Sequence, residues 1–149
     1  MTRFEFNWQT LILALVFSLG LAGCGGQAQA PAAPPAAVEA QSLVLQNLPL
    51  NVDVATVEEL RQRDDVFILD VREDSEFQSG HIPGATLVPL GQIPDRLDEV
   101  PRDKTVIAVC RSGNRSSQAT DFLRQQGFDN VHNMEGGMNA WSQAGYQTE

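Results

Sequence analysis

The segment Cys110-Arg-Ser-Gly-Asn-Arg115 brings one thiol, two guanidiniums and a glycine into a short stretch of chain. A glycine-centred loop can curl so that successive backbone N–H groups converge on one point, which makes a nest for an anion. Where such a loop leads into a helix, the unsatisfied amides of the first turn add to the same field. A thiol held there ionises more readily, because helix N-termini and neighbouring arginines depress cysteine pKa values from about 8.5 to roughly 3.5–7.5. Cys110 is therefore expected to be a thiolate at neutral pH and a nucleophile. A lone cysteine can equally be an inert core residue, so the reading depends on what flanks the loop.

The flanks have the required form. Thr105-Val-Ile-Ala-Val-Cys110 is a continuous apolar run that ends at the thiol, and Val66-Phe-Ile-Leu-Asp70 is a second. Runs of this kind suit strands buried on both faces of a parallel sheet. After the loop, Ser116 to Gln126 spaces Ala119, Phe122 and Leu123 for a helix face, with Gly127 at the C-terminal position that favours a left-handed residue and Phe128 returning onto Leu123. Thr56-Val-Glu-Glu59 fits a capping box and predicts a short helix to about Arg63. Asn130 to Met134 reads as a strand, and Gly136 to Ala144 as a closing helix with Met138 and Trp141 on its apolar side. Strands alternating with helices give an α/β domain, a small, mainly parallel β-sheet with helices on both faces. Ligands of such sheets bind beyond the carboxyl ends of the strands. Asp70 and Cys110 are therefore expected to border one site.

Four segments, in order, resemble the single-domain rhodaneses. Cys110-Arg-Ser-Gly-Asn-Arg-Ser116 is similar to their active-site loop, Leu69-Asp-Val-Arg-Glu73 with Phe77 to their Asp-Val-Arg motif, Gly80-His-Ile-Pro-Gly-Ala85 to their Gly-His-Ile-Pro-Gly-Ala turn, and Glu135-Gly-Gly-Met-Asn-Ala-Trp141 to their last helix start. The match covers about residues 50–146. It implies a rhodanese-like fold and a thiosulfate-type sulfurtransferase. Cys110 would carry the sulfur as a persulfide, taking it from a small anionic donor and passing it to a thiol, cyanide or protein acceptor. The backbone amides of Arg111, Ser112, Gly113, Asn114 and Arg115 would hold the persulfide, and Arg111 would bind the donor's charge. Arg115 would do the same or tie the loop to a carboxylate. No metal or other cofactor is implied. Phosphatases and arsenate reductases of similar fold have a loop one residue longer, and the position they need for arginine is Ser116 here. A competing reading is a tethered persulfide carrier or protein-binding module with little turnover of free thiosulfate.

Ordinary roles suit the other polar residues. His81 is expected to hold its turn by hydrogen bonding, and His132 to be a strand residue. Asp70 and Arg72 support the site, with a structural ion pair such as Asp70 to Arg115 preferred over chemistry. Glu73, Asp74 and Glu76 read as a solvated acidic stretch.

Residues 1–23 have the layout of a signal peptide, with an apolar run from Leu11 that closes in Leu21-Ala22-Gly23-Cys24. That tetrapeptide resembles the lipobox of bacterial lipoproteins, which implies acylation of Cys24. The run is broken by Gly20 and Gly23, which argues against a permanent span, since a bilayer core needs roughly 20 apolar helical residues. Residues 24–44 are rich in Ala, Pro and Gln and predict a disordered tether, leaving 45–149 as the rhodanese-like domain. The chain has two cysteines; with Cys24 acylated, Cys110 has no intramolecular partner in a protein expected to be exported and lipid-anchored to a bacterial membrane. The net charge of −9 repels nucleic acid, and a monomer is expected. Cys24→Ser is expected to abolish acylation and leave either an uncleaved precursor or an unanchored protein; identical partitioning of variant and parent into membranes and detergent overturns the lipoprotein reading.

Overall fold

The structure, a computed structural model, describes residues 45–149; the expected signal peptide (1–23), Cys24 and the expected tether (24–44) lie outside the described residues. The elements run β1 (Asn51–Val52), α1 (Val54–Leu60), β2 (Val66–Asp70), α2 (Asp74–Gln78), β3 (Thr86–Leu87), two 3₁₀ turns (Leu90–Asp95 and Leu97–Glu99), β4 (Thr105–Val109), α3 (Asn114–Gln125), β5 (Val131–Met134) and α4 (Gly137–Gln143). The strands form one sheet in the order β1-β5-β4-β2-β3, every pairing parallel. The two apolar runs read from the sequence are its central neighbours, in register from Val66 opposite Thr105 to Asp70 opposite Val109.

Because side chains alternate across a strand, each central strand feeds two cores. Ile68, Ile107 and Val109 pack on one face with Val57 and Leu60 of α1 and Met138 and Trp141 of α4. Leu69, Val106 and Val131 pack on the other with Ala119 and Leu123 of α3 and Ile93 of the first 3₁₀ turn. Helices thus cover both faces. The α3 helix closes as expected, with Gly127 at φ +81° and the Phe128 amide donating to the Leu123 carbonyl at 3.1 Å.

Two helix starts differ from expectation. α1 is capped by Asp53, whose carboxylate accepts from the amides of Ala55 and Thr56, each at 3.0 Å. Thr56 is inside the helix and spends its hydroxyl on Asp53 as well, at 2.9 Å. The carboxylate accepts all three donors, a task one threonine hydroxyl cannot perform. The helix ends at Leu60 rather than near Arg63, because Arg63 is drawn into the next turn by a two-pronged bond to Asp65 (2.7 and 2.8 Å). A capping box does form, at Glu73 and Glu76, and turns the presumed solvated stretch into α2.

The carboxyl end of β2 holds a buried ion pair. Arg72 donates to both oxygens of Asp70 at 2.7–3.0 Å, and to the carbonyls of Glu76 at 3.1 Å and Gly80 at 3.0 Å. Asp70 is fully buried and Arg72 nearly so. Asp70 therefore pairs with Arg72 and not with Arg115, because Arg72 follows it closely enough to fold back and still reach the two carbonyls. Removing one member of such a pair strands the other charge in the interior, which costs about 3–5 kcal/mol. Asp70→Ala is accordingly expected to lower the urea unfolding free energy by about that amount; a loss below about 1 kcal/mol, the range of exposed pairs, would show the pair to be idle.

Candidate active site

β4 stops at Val109, so Cys110 lies just past the carboxyl end of a central strand, and the chain turns through residues 111–113 into α3. The turn depends on Gly113, which caps α3 at φ +94°, a conformation that costs a side-chain-bearing residue dearly. A Cβ there would also press to 3.2 Å from the Gly136 amide nitrogen. In this conformation the Gly113 N–H donates to Cys110 Sγ at 3.1 Å, and the buried Ser116 hydroxyl approaches the same sulfur at 3.3 Å. Cys110 is 1% exposed. Burial pushes the thiol pKa up, but the Ser116 hydroxyl and the amides of Ser116, Ser112 and Gly113 oppose it and leave the pKa below the ordinary thiol value. The direction agrees with the sequence argument. Hydrogen bonds, rather than the flanking arginines, lead the opposition to burial.

The carbonyls of the loop are held from the other side by α4. Met138 N–H donates to the Cys110 carbonyl at 2.8 Å, and Asn139 N–H to the Arg111 carbonyl at 3.0 Å. In a planar trans peptide the N–H points opposite the C=O. Fixing those carbonyls toward α4 thus turns the Arg111 and Ser112 amides away from it. The approach requires Gly137: at φ +56°, a Cβ there would lie 2.7 Å from Arg111 C and Ser112 N. The Gly-Gly pair was visible in the sequence as a helix start. Its contact with the thiol loop was not.

The two loop arginines have different fates. Arg115 makes a two-pronged bond to Glu76, 2.7 Å on each arm, which ties the first turn of α3 to α2. The Arg115 guanidinium, ahead of a smaller opposing effect of burial, pulls the Glu76 carboxyl down to about 2. Sequence reasoning missed Glu76 as a site residue; the Glu73/Glu76 capping-box spacing is the signal that could have found the helix presenting it. Arg111 is exposed and forms no ion pair among the described residues. It lines a cleft of about 340 Å³ together with Arg72, Glu76, Ser79, Asn139 and Thr148.

Asp70 is buried behind Arg72 and does not line that cleft, so of the two strand-end acids and bases only Arg72 reaches it. Asn114 opens α3, and its carbonyl accepts from the Gln118 side chain at 3.3 Å. His81 acts as its turn suggested: Nδ1 donates to the Phe77 carbonyl at 3.0 Å, and its ring stacks on Phe77 at 3.6 Å. Its backbone exchanges two 3.0 Å hydrogen bonds with Glu149, which places Thr148 on the cleft wall without any signal in the sequence. His132 lies in β5, its Nδ1 bonded to the Pro49 carbonyl at 2.7 Å. Among the described residues, no group of three or more His, Cys, Asp or Glu is disposed to hold a metal ion.

A cysteine at the head of an amide-lined loop, set at the carboxyl edge of a parallel sheet, defines a class that known proteins also define. The rhodanese-like domain family matches residues 53–144, and the chain belongs to that family. It is 43% identical over 86 residues to a sulfurtransferase of Allochromatium vinosum, covering 58% of this chain and 80% of that one. It is 36% identical over 94 residues to the thiosulfate sulfurtransferase GlpE of Pseudoalteromonas translucida, covering 63% and 90%. Among solved structures, a rhodanese-related protein from Thermoplasma volcanium superposes with a TM-score of 0.63 at 31% identity, covering 68% of this chain and 98% of that one.

The Glu76–Arg115 pair yields a pH prediction. Because folding lowers the Glu76 pKa, the pair's contribution is complete above the ordinary carboxylate range and fades as pH falls toward about 2. Both side chains are 30% exposed, so screening limits the contribution to about 1 kcal/mol. Glu76→Gln is expected to lower stability by that amount at pH 7, and the gap to the parent is expected to close with acidification in parallel urea titrations. A gap that persists unchanged at acid pH would mean that the charge is not its source.

Proposed function

We propose that this domain is a sulfurtransferase that moves a sulfane sulfur from thiosulfate or a similar anion to a thiophilic acceptor through a persulfide on Cys110. One observation carries the reading: an amide N–H and a hydroxyl converge on a buried Sγ, while Arg111, whose guanidinium has no ion-pair partner among the described residues, lines a nearby cleft. The Cys110 thiolate attacks the terminal sulfur of the donor. A bond forms from Sγ to that sulfur, the donor's S–S bond breaks, and sulfite departs with the bonding pair. The negative charge now rests on the outer sulfur, where the amides of the loop hold it as an oxyanion hole holds an oxyanion. An acceptor thiolate, cyanide or protein thiol then attacks that outer sulfur and releases Cys110 as the thiolate.

Burial of Cys110 suits a donor with a narrow end, and the terminal sulfur of thiosulfate is one atom wide. Arg111 would meet the donor's sulfonate oxygens with a charge-assisted contact. Arg115 is engaged by Glu76 and serves the loop rather than the donor. The sulfurtransferase relatives favour an enzyme over a carrier with little turnover. In the same reading the protein is exported and held at a membrane through acylated Cys24, with residues 24–44 as the tether.

Intact mass of the protein mixed with thiosulfate tests the chemistry: one added sulfur is expected, located on Cys110 and removable by cyanide. Cys110→Ser is expected to fold yet lose turnover by several orders of magnitude, since a serine hydroxyl without a general base is a poor nucleophile. Arg111→Ala is expected to raise the thiosulfate KM by roughly 10–100-fold, as loss of a charge-assisted hydrogen bond does, with kcat little changed. Turnover by the serine variant, or no sulfur uptake by the parent, would defeat the proposal.

A further inference from the structure

Ser116 has a hydroxyl with one proton and two acceptors. Its Oγ lies 3.3 Å from Cys110 Sγ and 3.1 Å from the Gly113 carbonyl oxygen, and the residue is fully buried, so water does not compete. A hydroxyl donates one proton at a time, and it favours the acceptor with the greater negative charge, because hydrogen bonds to ions are about twice as strong as neutral ones. The Gly113 carbonyl is never left bare by this choice, since it also accepts from the Ser117 amide at 3.0 Å.

We propose that Ser116 is a positioning residue that sets the balance between the free thiolate and the persulfide of Cys110, by giving its proton to Sγ in the first state and to the Gly113 carbonyl in the second. The inference rests on the persulfide reading above. When Cys110 is a thiolate, the charge sits on Sγ and Ser116 donates to it. When the outer sulfur is added, the charge moves outward by one S–S bond, about 2 Å, and Sγ becomes a neutral disulfide-like sulfur and a weak acceptor. The hydroxyl then turns to the carbonyl. Ser116 consequently stabilises one resting form selectively, whereas the backbone amides, which can serve either sulfur, stabilise both. It keeps the enzyme from accumulating as the persulfide: the thiolate it stabilises is the leaving group of the acceptor half-reaction.

The other charged groups near the thiol do not supply this selectivity. Arg115 acts on Cys110 through charge alone, with no hydrogen bond to the sulfur, and its donors are held by Glu76; Arg111 lines the cleft. The α4 amides are committed to loop carbonyls.

The test uses full-length Cys24→Ser protein, in which Cys110 is the sole thiol, with and without Ser116→Ala. Thiolate absorbance in the ultraviolet, in the absence of any sulfur donor, is expected to show the Cys110 titration midpoint rising by about one pH unit in the alanine variant, the tenfold equivalent of one lost hydrogen bond to a charged group. At a fixed thiosulfate to sulfite ratio, above both midpoints, intact mass is expected to show the ratio of persulfide to free enzyme rising about tenfold. Ser116→Thr is expected to restore both values, which a role in packing alone would not predict, and circular dichroism checks the fold. An unchanged midpoint, or a shifted midpoint with an unchanged persulfide ratio, overturns the proposal. If the Cys24→Ser protein takes up no sulfur at all, the persulfide reading itself is what fails.

Discussion

Two hydrogen bonds hold the reactive end of this domain in shape, those from the Met138 and Asn139 amides to the carbonyls of Cys110 and Arg111. They satisfy two groups on each side that would otherwise be orphans: the first free amides of a helix and the carbonyls of a turn pressed into the protein. Their larger effect is orientational. With those carbonyls committed to α4, the Arg111 and Ser112 N–H groups point away from the helix, and the Ser112 and Gly113 amides act on the sulfur. The glycine at 137 permits this contact, since any side chain there would collide with the loop backbone, while a side chain at Gly136 would meet Ala140. The loop that carries the thiol is thus held by a helix that contributes backbone amides to it.

The charged residues divide the remaining labour by burial. Arg72 is inside, spends its donors on Asp70 and two carbonyls, and fixes the turn that follows β2. Arg115 is at the boundary and binds α2 to α3 through Glu76. Arg111 alone of these three has no ion-pair partner among the described residues, in a chain of net charge −9, and it lies on the cleft.

Most of this arrangement was legible before any coordinates. The two apolar runs identified β2 and β4, their alternation with helices required a parallel sheet, and the glycine between β4 and α3 located the nest. What escaped was whatever depended on contacts distant in sequence or on very short elements. β1 and β3 are two residues each, too short to show a period. Glu76 looked like one more surface acid because its partner is far along the chain. The capping box at Thr56 failed because Asp53, just ahead of it, is the better cap, while the box that does form, at Glu73, precedes no apolar run. Asp70 was matched with the wrong arginine for a simple reason: spacing does not reveal which way a guanidinium folds back.

Trp141 gives the clamp an optical consequence. The indole is fully buried, one helical turn beyond the amides that grip the loop, and its Nε1 donates to the Gln147 carbonyl at 3.0 Å, next to the cleft-lining Thr148. Tyr146 packs against it at 5.0 Å. One fluorophore is therefore joined through backbone to the thiol loop on one side and to the cleft wall on the other. A shift of the loop carbonyls would reach the ring through α4, and a movement of the wall would reach it through the indole nitrogen, so Trp141 is placed to report optically on either.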